Sequence, residues 1–172
     1  KTVLIHGHDG FDRTLQISSL VQILLDPYYR RIIGFSVLIE KDWLNFGHPF
    51  VKRSGIVKDN YIGYDKDEEI SPIFIQFLDC VHQLIYQFPT LFEFNIEFLK
   101  FLSNHSMSGK YGTFMFNCIK EVCKMQYRMY LKDGDKYGSS NIIIRDLNVF
   151  DDQISIIDNE NNGKSYTDYT NL

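Results

Sequence analysis

The chain has 172 residues, of which 44% are apolar and 23% charged, far from the low-hydrophobicity, high-charge corner where chains stay disordered and ordinary for one folded domain or part of one. The formal net charge of −4 argues against a phosphate-coated polymer, and so against nucleic acid, as a partner. Cys80, Cys118 and Cys123 lack metal-ligand spacing, and with no signal-like N-terminus they fit a reducing, cytoplasmic setting.

Thr2 to Ile5 read as a short strand. A polar, glycine-bearing turn follows, His6-Gly7-His8-Asp9-Gly10, and then a helix with Ile17, Leu20, Val21 and Leu24 on its apolar face, closing at Asp26-Pro27. The segment Gly34 to Ile39 is short, and a short helix is expected through Asp42 to Phe46. From Lys52 to Glu69 the chain is polar and non-periodic, which predicts a surface loop. Ser71 suits a helix N-cap and Pro72 the first helical position, and Phe74, Phe77, Leu78, Val81, Leu84, Ile85 and Phe88 then keep helical spacing to Pro89. This stretch from Ile70 to Phe88 is broken by Gln76, Asp79, His82, Gln83 and Gln87, so it lacks the roughly 20 unbroken apolar residues of a membrane-spanning helix.

Asn95 is placed to cap a helix carrying Phe98, Leu99 and Leu102 and ending near Gly109. A less regular helix is expected over Phe116 to Leu131. Ile142 to Ile144 and Ile154 to Ile157 read as strands or buried extended segments, and the polar tail from Asp158 is expected to fray. The phenylalanine stripe from Phe74 to Phe101 reads as core, His82 as a core histidine and Cys80 as inert packing. His48 and His105 give no ligand spacing, so no metal site is expected.

Chemistry concentrates at the first turn. A strand feeding a tight loop that opens a helix directs successive backbone N–H groups and the positive end of the helix dipole at one point, which makes an anion site. Arg13, at the far end of that loop, is placed to add a bidentate clamp on phosphate oxygens. A carboxylate at Asp12 reads equally well as a helix cap beside the dipole.

The loop His6-Gly7-His8-Asp9-Gly10-Phe11-Asp12-Arg13-Thr14 resembles the signature of the myotubularins, lipid phosphatases of the Cys-x5-Arg class, which reads His-Cys-x-Asp-Gly-Trp-Asp-Arg-Thr. The likeness continues through Leu24-Leu25-Asp26-Pro27-Tyr28-Tyr29-Arg30, Glu40-Lys41-Asp42-Trp43-Leu44, Phe46-Gly47-His48, Gln76-Phe77-Leu78-Asp79-Cys80 and Gly112-Thr113-Phe114. It covers residues 1–117. The resemblance implies an α-rich α/β fold, the C-terminal half of a cysteine-phosphatase domain similar to the protein tyrosine phosphatases, with a strand-loop-helix phosphate cradle. Residues 118–157 are expected to be a divergent extension of that domain and residues 158–172 a polar tail. Because the likeness starts one strand before the loop, either a truncated gene product or a fragment is expected.

The resemblance makes Asp12 the general-acid position, Arg13 the phosphate clamp, and His8, Asp9, Gly10, Phe11, Asp12, Arg13 and Thr14 the substrate-binding loop. The departure is at the nucleophile, where the family cysteine is Gly7. Glycine has nothing to attack phosphorus with, and losing a nucleophile costs on the order of 10^6 in rate in a serine protease. No second Cys-x5-Arg pairing exists, since Tyr86, Lys124 and Met129 stand six residues beyond the three cysteines. The expectation is a pseudophosphatase that binds phosphatidylinositol 3-phosphate or 3,5-bisphosphate without hydrolysing it, or that regulates an active myotubularin relative, without cofactor, peripheral on endosomal membranes. The alternative is a working phosphatase in which His8, or water assisted by Asp12, makes the attack.

Overall fold

The computed structural model describes residues 2–55 and 70–124, and among them every regular element is helical. Helix α1 spans Arg13–Leu25, α2 Ile32–Leu38, α3 Phe50–Ser54, α4 Ile73–Gln87 and α5 Ile96–Ser106, with short 3-10 turns at Pro27–Arg30, Pro89–Leu91 and Gly112–Phe114. Residues 119–124 begin a further helical stretch.

The expected strand at Thr2 to Ile5 is not formed, because a strand exists only through ladder hydrogen bonds and no neighbouring strand occurs among the described residues. Val3 and Leu4 are accordingly 79% and 83% exposed. Of the strand-loop-helix expected for the cradle, the loop and the helix are present.

Helix α1 ends as expected, with Asp26 at its C-cap and the Asp26 carboxylate accepting from the Tyr28 N–H to start the next turn. Its buried face is not the expected one. Leu15, Ser19 and Ile23 point inward, whereas Ile17, Val21 and Leu24 are exposed. Apolar residues lie all round this helix, so their spacing does not select a face. The choice is made by Trp43, which is fully buried and donates its indole N–H to Ser19 Oγ at 3.0 Å.

Ile32 to Asn45 is one continuous helical run in which α2 passes into a π-helical stretch, Ile39–Asn45. That wider winding turns both Asp42 and Trp43 inward. Gln22 of α1 donates to Asp42 and accepts from Lys41, whose ammonium also reaches Tyr29 Oη at 3.1 Å. The buried carboxylate is thus hydrogen-bonded, as its desolvation demands.

The core is aromatic. Trp43 packs on Phe74 and Phe77 with ring centroids 5.0 and 4.9 Å apart, Phe35 on Phe94 at 4.8 Å, and Phe50 on Phe114 at 5.0 Å. Phe74, Phe77, Phe94 and Phe98 of the predicted stripe are buried, whereas Phe88 is half-exposed where α4 ends. His82 and Cys80 are half-buried on α4.

Asn95 caps α5 as predicted, its side chain accepting from the N–H groups of Glu97 and Phe98 at 3.0 and 3.2 Å. Asn95→Ala is expected to lower stability by about 0.5–2 kcal/mol, read as a shifted denaturant midpoint at unchanged slope. At α4 the cap differs by one residue, because Pro72 occupies the N-cap and Ser71 lies outside it. Lys52 to Ser54, expected in a loop, close α3. Residues 56–69, the remainder of the helix expected to run to Leu131, the isoleucine segments and the tail from Asp158 lie outside the described residues.

Candidate functional site

The loop between Ile5 and α1 is shaped locally. Asp9 Oδ1 accepts from the Phe11 N–H at 3.3 Å, and Gly10 takes φ 79°, a left-handed conformation that suits glycine, so the chain reverses into the helix. Asp12 stands at the N-cap, and its carbonyl accepts the first helical bond from the Gln16 N–H at 3.1 Å. Its carboxylate makes no cap.

That carboxylate is instead gripped from another part of the chain. Arg53 of α3 places Nε 3.1 and 3.2 Å from the two Asp12 oxygens and Nη2 2.7 Å from Oδ2, a fork geometry that fixes orientation as well as position. His48, only 1% exposed, sets Nδ1 3.2 Å from Asp12 Oδ1 and 2.9 Å from the Phe11 carbonyl oxygen. Both neighbours are acceptors, so Nδ1 carries the hydrogen and donates to them. Burial, the largest influence, pushes the His48 pKa below its usual 6.5; Arg53 pushes the same way, while the Phe11 carbonyl and Asp12 pull it back. His48 is therefore neutral at pH 7. The cap reading of Asp12 is overturned by this pairing.

On its other side the loop borders an open cavity of about 550 Å³, lined by residues including His6, Gly7, His8, Asp9, Gly10, Phe11 and Thr14, with Ser18, Gln22 and Asp42 beneath. Its charged lining residues are Asp9 and Asp42, and neither Asp12 nor Arg13 lines it. The Asp42 carboxylate is paired there with Lys41 Nζ at 3.5 Å. Arg13 begins α1 and is exposed. The predicted site residues thus divide: His8, Asp9, Gly10, Phe11 and Thr14 meet at the cavity, Asp12 turns to α3, and Arg13 faces solvent.

Gly7 has room for a side chain, but not freely. A β-carbon there would stand 3.0 Å from Thr14 Oγ1, tighter than ordinary contact, with the Gly10 nitrogen at 3.8 Å. Thr14 Oγ1 is buried and has no hydrogen-bond partner among the described residues. The hydroxyl therefore faces the space that a residue with a side chain at position 7 would fill. Among the described residues no three His, Cys, Asp or Glu side chains gather as a metal site, and no helix is long and apolar enough to cross a membrane.

Comparison with known proteins matches residues 1–123 to the myotubularin-like phosphatase domain. The chain belongs to the myotubularin family. Over 117 residues it is 49% identical to a protein named myotubularin from Xenopus laevis, covering 68% of this chain and 19% of that one. It is 48% identical over 132 residues to the Xenopus laevis protein named phosphatidylinositol-3,5-bisphosphate 3-phosphatase MTMR4, covering 77% and 12%. The human protein of the same name is 52% identical over 117 residues, covering 68% and 10%. This myotubularin-family chain thus spans a fifth or less of the length of these relatives.

Sequence reading misses the part that His48 and Arg53 play at the loop. His48 has no ligand spacing and Arg53 sits in a polar, non-periodic stretch, so neither pattern singles them out. The available signal is the run Phe46-Gly47-His48, which matches the myotubularin pattern and ends in a histidine that neither metal spacing nor helical period accounts for.

Proposed function

We propose that this myotubularin-family chain binds a 3-phosphorylated phosphoinositide and does not hydrolyse it. The observation that carries the reading is Gly7, which leaves no thiol at the nucleophile position while Asp9, Gly10, Asp12, Arg13 and Thr14 of the motif remain. Grip on a phosphomonoester needs backbone dipoles and a guanidinium, and neither depends on sulfur. Helix α1, 13 residues long, brings its N-terminus to the loop, and Arg13 stands exposed at that end. In this reading Arg13 clamps the phosphate, and His8, Asp9, Gly10, Phe11 and Thr14 border it. The named phosphatases among its relatives act on phosphatidylinositol 3,5-bisphosphate, which makes that lipid and the 3-phosphate the ligands to test. Asp12, with both oxygens held by Arg53, is placed as an acceptor, which supports binding without turnover. A chain that holds lipid in this way is peripheral on phosphoinositide-bearing membranes, where it can influence an active relative.

Pelleting with vesicles containing phosphatidylinositol 3-phosphate tests the reading. Wild type is expected to bind in a salt-sensitive way and Arg13→Ala to lose about tenfold or more, the worth of one charge-assisted bidentate contact. Equal binding by the two chains would leave the clamp without a role.

A further inference from the structure

The His48 side chain touches the candidate loop from beneath and is a buried titratable group that the binding reading leaves without a task. Its ring is enclosed by aromatic faces, Trp43 at 4.9 Å and Phe50 at 4.7 Å, both meeting it edge to face. Nδ1 donates to the Phe11 carbonyl and toward Asp12, while Nε2 is buried with no hydrogen-bond partner among the described residues. The charged groups that face the ring are Asp12 from the loop and Arg53 from α3; the π-helical stretch contributes only the Trp43 ring.

We propose that His48 is the positioning residue of the loop, a latch that holds Phe11 and Asp12 only while its ring is neutral, so that acidification frees the loop and weakens its hold on an anion. This rests on the binding reading for its second half and on the contacts of the His48 ring for its first.

The physical reason is an asymmetry between the two nitrogens. In the neutral ring with hydrogen on Nδ1, Nε2 is a bare acceptor, and an unpaired acceptor among aromatic rings carries a modest penalty. Adding a proton to Nε2 creates a buried N–H with nothing to receive it, on a ring already facing the Arg53 guanidinium. Asp12 cannot balance that charge alone, since the Arg53 fork already occupies it. The ring with its charge is therefore better accommodated in solvent, and leaving the pocket breaks the bond to the Phe11 carbonyl.

The sign follows from the lowered pKa. Because the folded state binds this proton less readily than a solvent-exposed ring, the latch is fully present above about pH 6.5 and is lost as pH falls below it. A single proton changes the opening equilibrium by at most about tenfold per pH unit.

Hydrogen exchange on the full chain, expressed as protection after correction for the intrinsic rate, tests the latch between pH 7.5 and 5.5. The amides to follow are Phe11 and Gln16, which close the turn and the first helical bond. Wild type is expected to lose protection by up to about tenfold. His48→Asn, which keeps an N–H donor near the Nδ1 position but cannot gain charge, is expected to lose none. That variant retains His6 and His8, both exposed on the same loop, so an equal loss in wild type and His48→Asn would assign the effect to them and overturn the proposal. Should the variant fail to fold, nitrogen NMR of the wild-type ring decides: hydrogen on Nδ1 at pH 7.5 supports the latch, and hydrogen on Nε2 contradicts it. Vesicle pelleting at both pH values separates this proposal from the functional one. Loop protection that falls with pH while no vesicle binding occurs at either pH supports the latch and contradicts phosphoinositide binding. Binding that is present but equally strong at both pH values contradicts the proposed weakening.

Discussion

Replacing Gly34 by alanine is expected to destabilise the folded state strongly, by about 3 kcal/mol or more. Gly34 lies in α2, where the chain folds back on the turn at Pro27–Arg30, and a β-carbon there would fall on the Tyr28 carbonyl oxygen, with the carbonyl carbon at 2.6 Å. The obstacle is backbone, not the end of a flexible side chain. Tyr28 is pinned by its N–H to the Asp26 carboxylate at 2.9 Å and by its carbonyl, which accepts from Arg31 N–H at 3.1 Å. Overpacking of a well-packed site typically costs about 1–3 kcal/mol and occasionally more. Here relief requires moving α2 and the π-helical stretch that carries Trp43, so the upper end is expected, against a total stability of about 5–15 kcal/mol for an ordinary domain. Near-ultraviolet circular dichroism of the aromatic core reads the outcome. A cooperative transition retained within a few degrees of wild type would show that α2 and the turn are not packed as described.

The second large effect is expected on installing the missing atom. In Gly7→Cys the thiol would sit at the N-terminal end of α1, beside loop amides, and next to the unpartnered Thr14 hydroxyl. Those donors favour the thiolate, and thiols at helix N-termini have pKa values of about 3.5–7.5 against about 8.5 for a free cysteine. At pH 7 that raises the thiolate fraction from about 3 per cent to about a quarter or more, so the thiol introduced at position 7 is expected to alkylate about tenfold faster than the exposed Cys123. Entry of the side chain requires Thr14 to yield a few tenths of an ångström, which a rotamer adjustment supplies. Mass spectrometry after brief iodoacetamide treatment ranks the new site against Cys80, Cys118 and Cys123. A new thiol no faster than Cys123 would mean that the loop no longer concentrates positive potential, and the anion site would lose its electrostatic basis.

Much of this molecule is legible without its structure, and the failures have physical causes. The Asn95 cap, the end of α1 at Asp26 and the buried face of α4 are all visible in the sequence, because each rests on local chemistry or on a clean helical period. The inward face of α1 is not, since apolar residues surround that helix and the choice is made by Trp43, 24 positions away, through its bond to Ser19. The strand at Thr2 to Ile5 is expected from composition alone, but a strand depends on a neighbour that composition does not supply. At the site, the loop motif is readable residue by residue, including the substitution at Gly7. The clamp on Asp12 is not readable, because Arg53 and His48 reach it across 41 and 36 positions of chain and no spacing rule connects them. Local signals reveal loops and caps; pairings across the fold emerge only once packing has placed them.

These pieces combine into a loop with a retained motif, a carboxylate held by Arg53 and His48, and no nucleophile. Recovering the lipid after binding tests that combination most directly. Vesicles carrying phosphatidylinositol 3-phosphate are incubated with wild-type chain at pH 7.5 and pelleted, and lipid and released phosphate are then quantified. The account predicts lipid in the pellet with the protein, all of it still 3-phosphorylated, and phosphate no higher than in buffer alone. Phosphate release above buffer that disappears in His8→Ala, or a phosphoryl group found covalently on the protein, would contradict it.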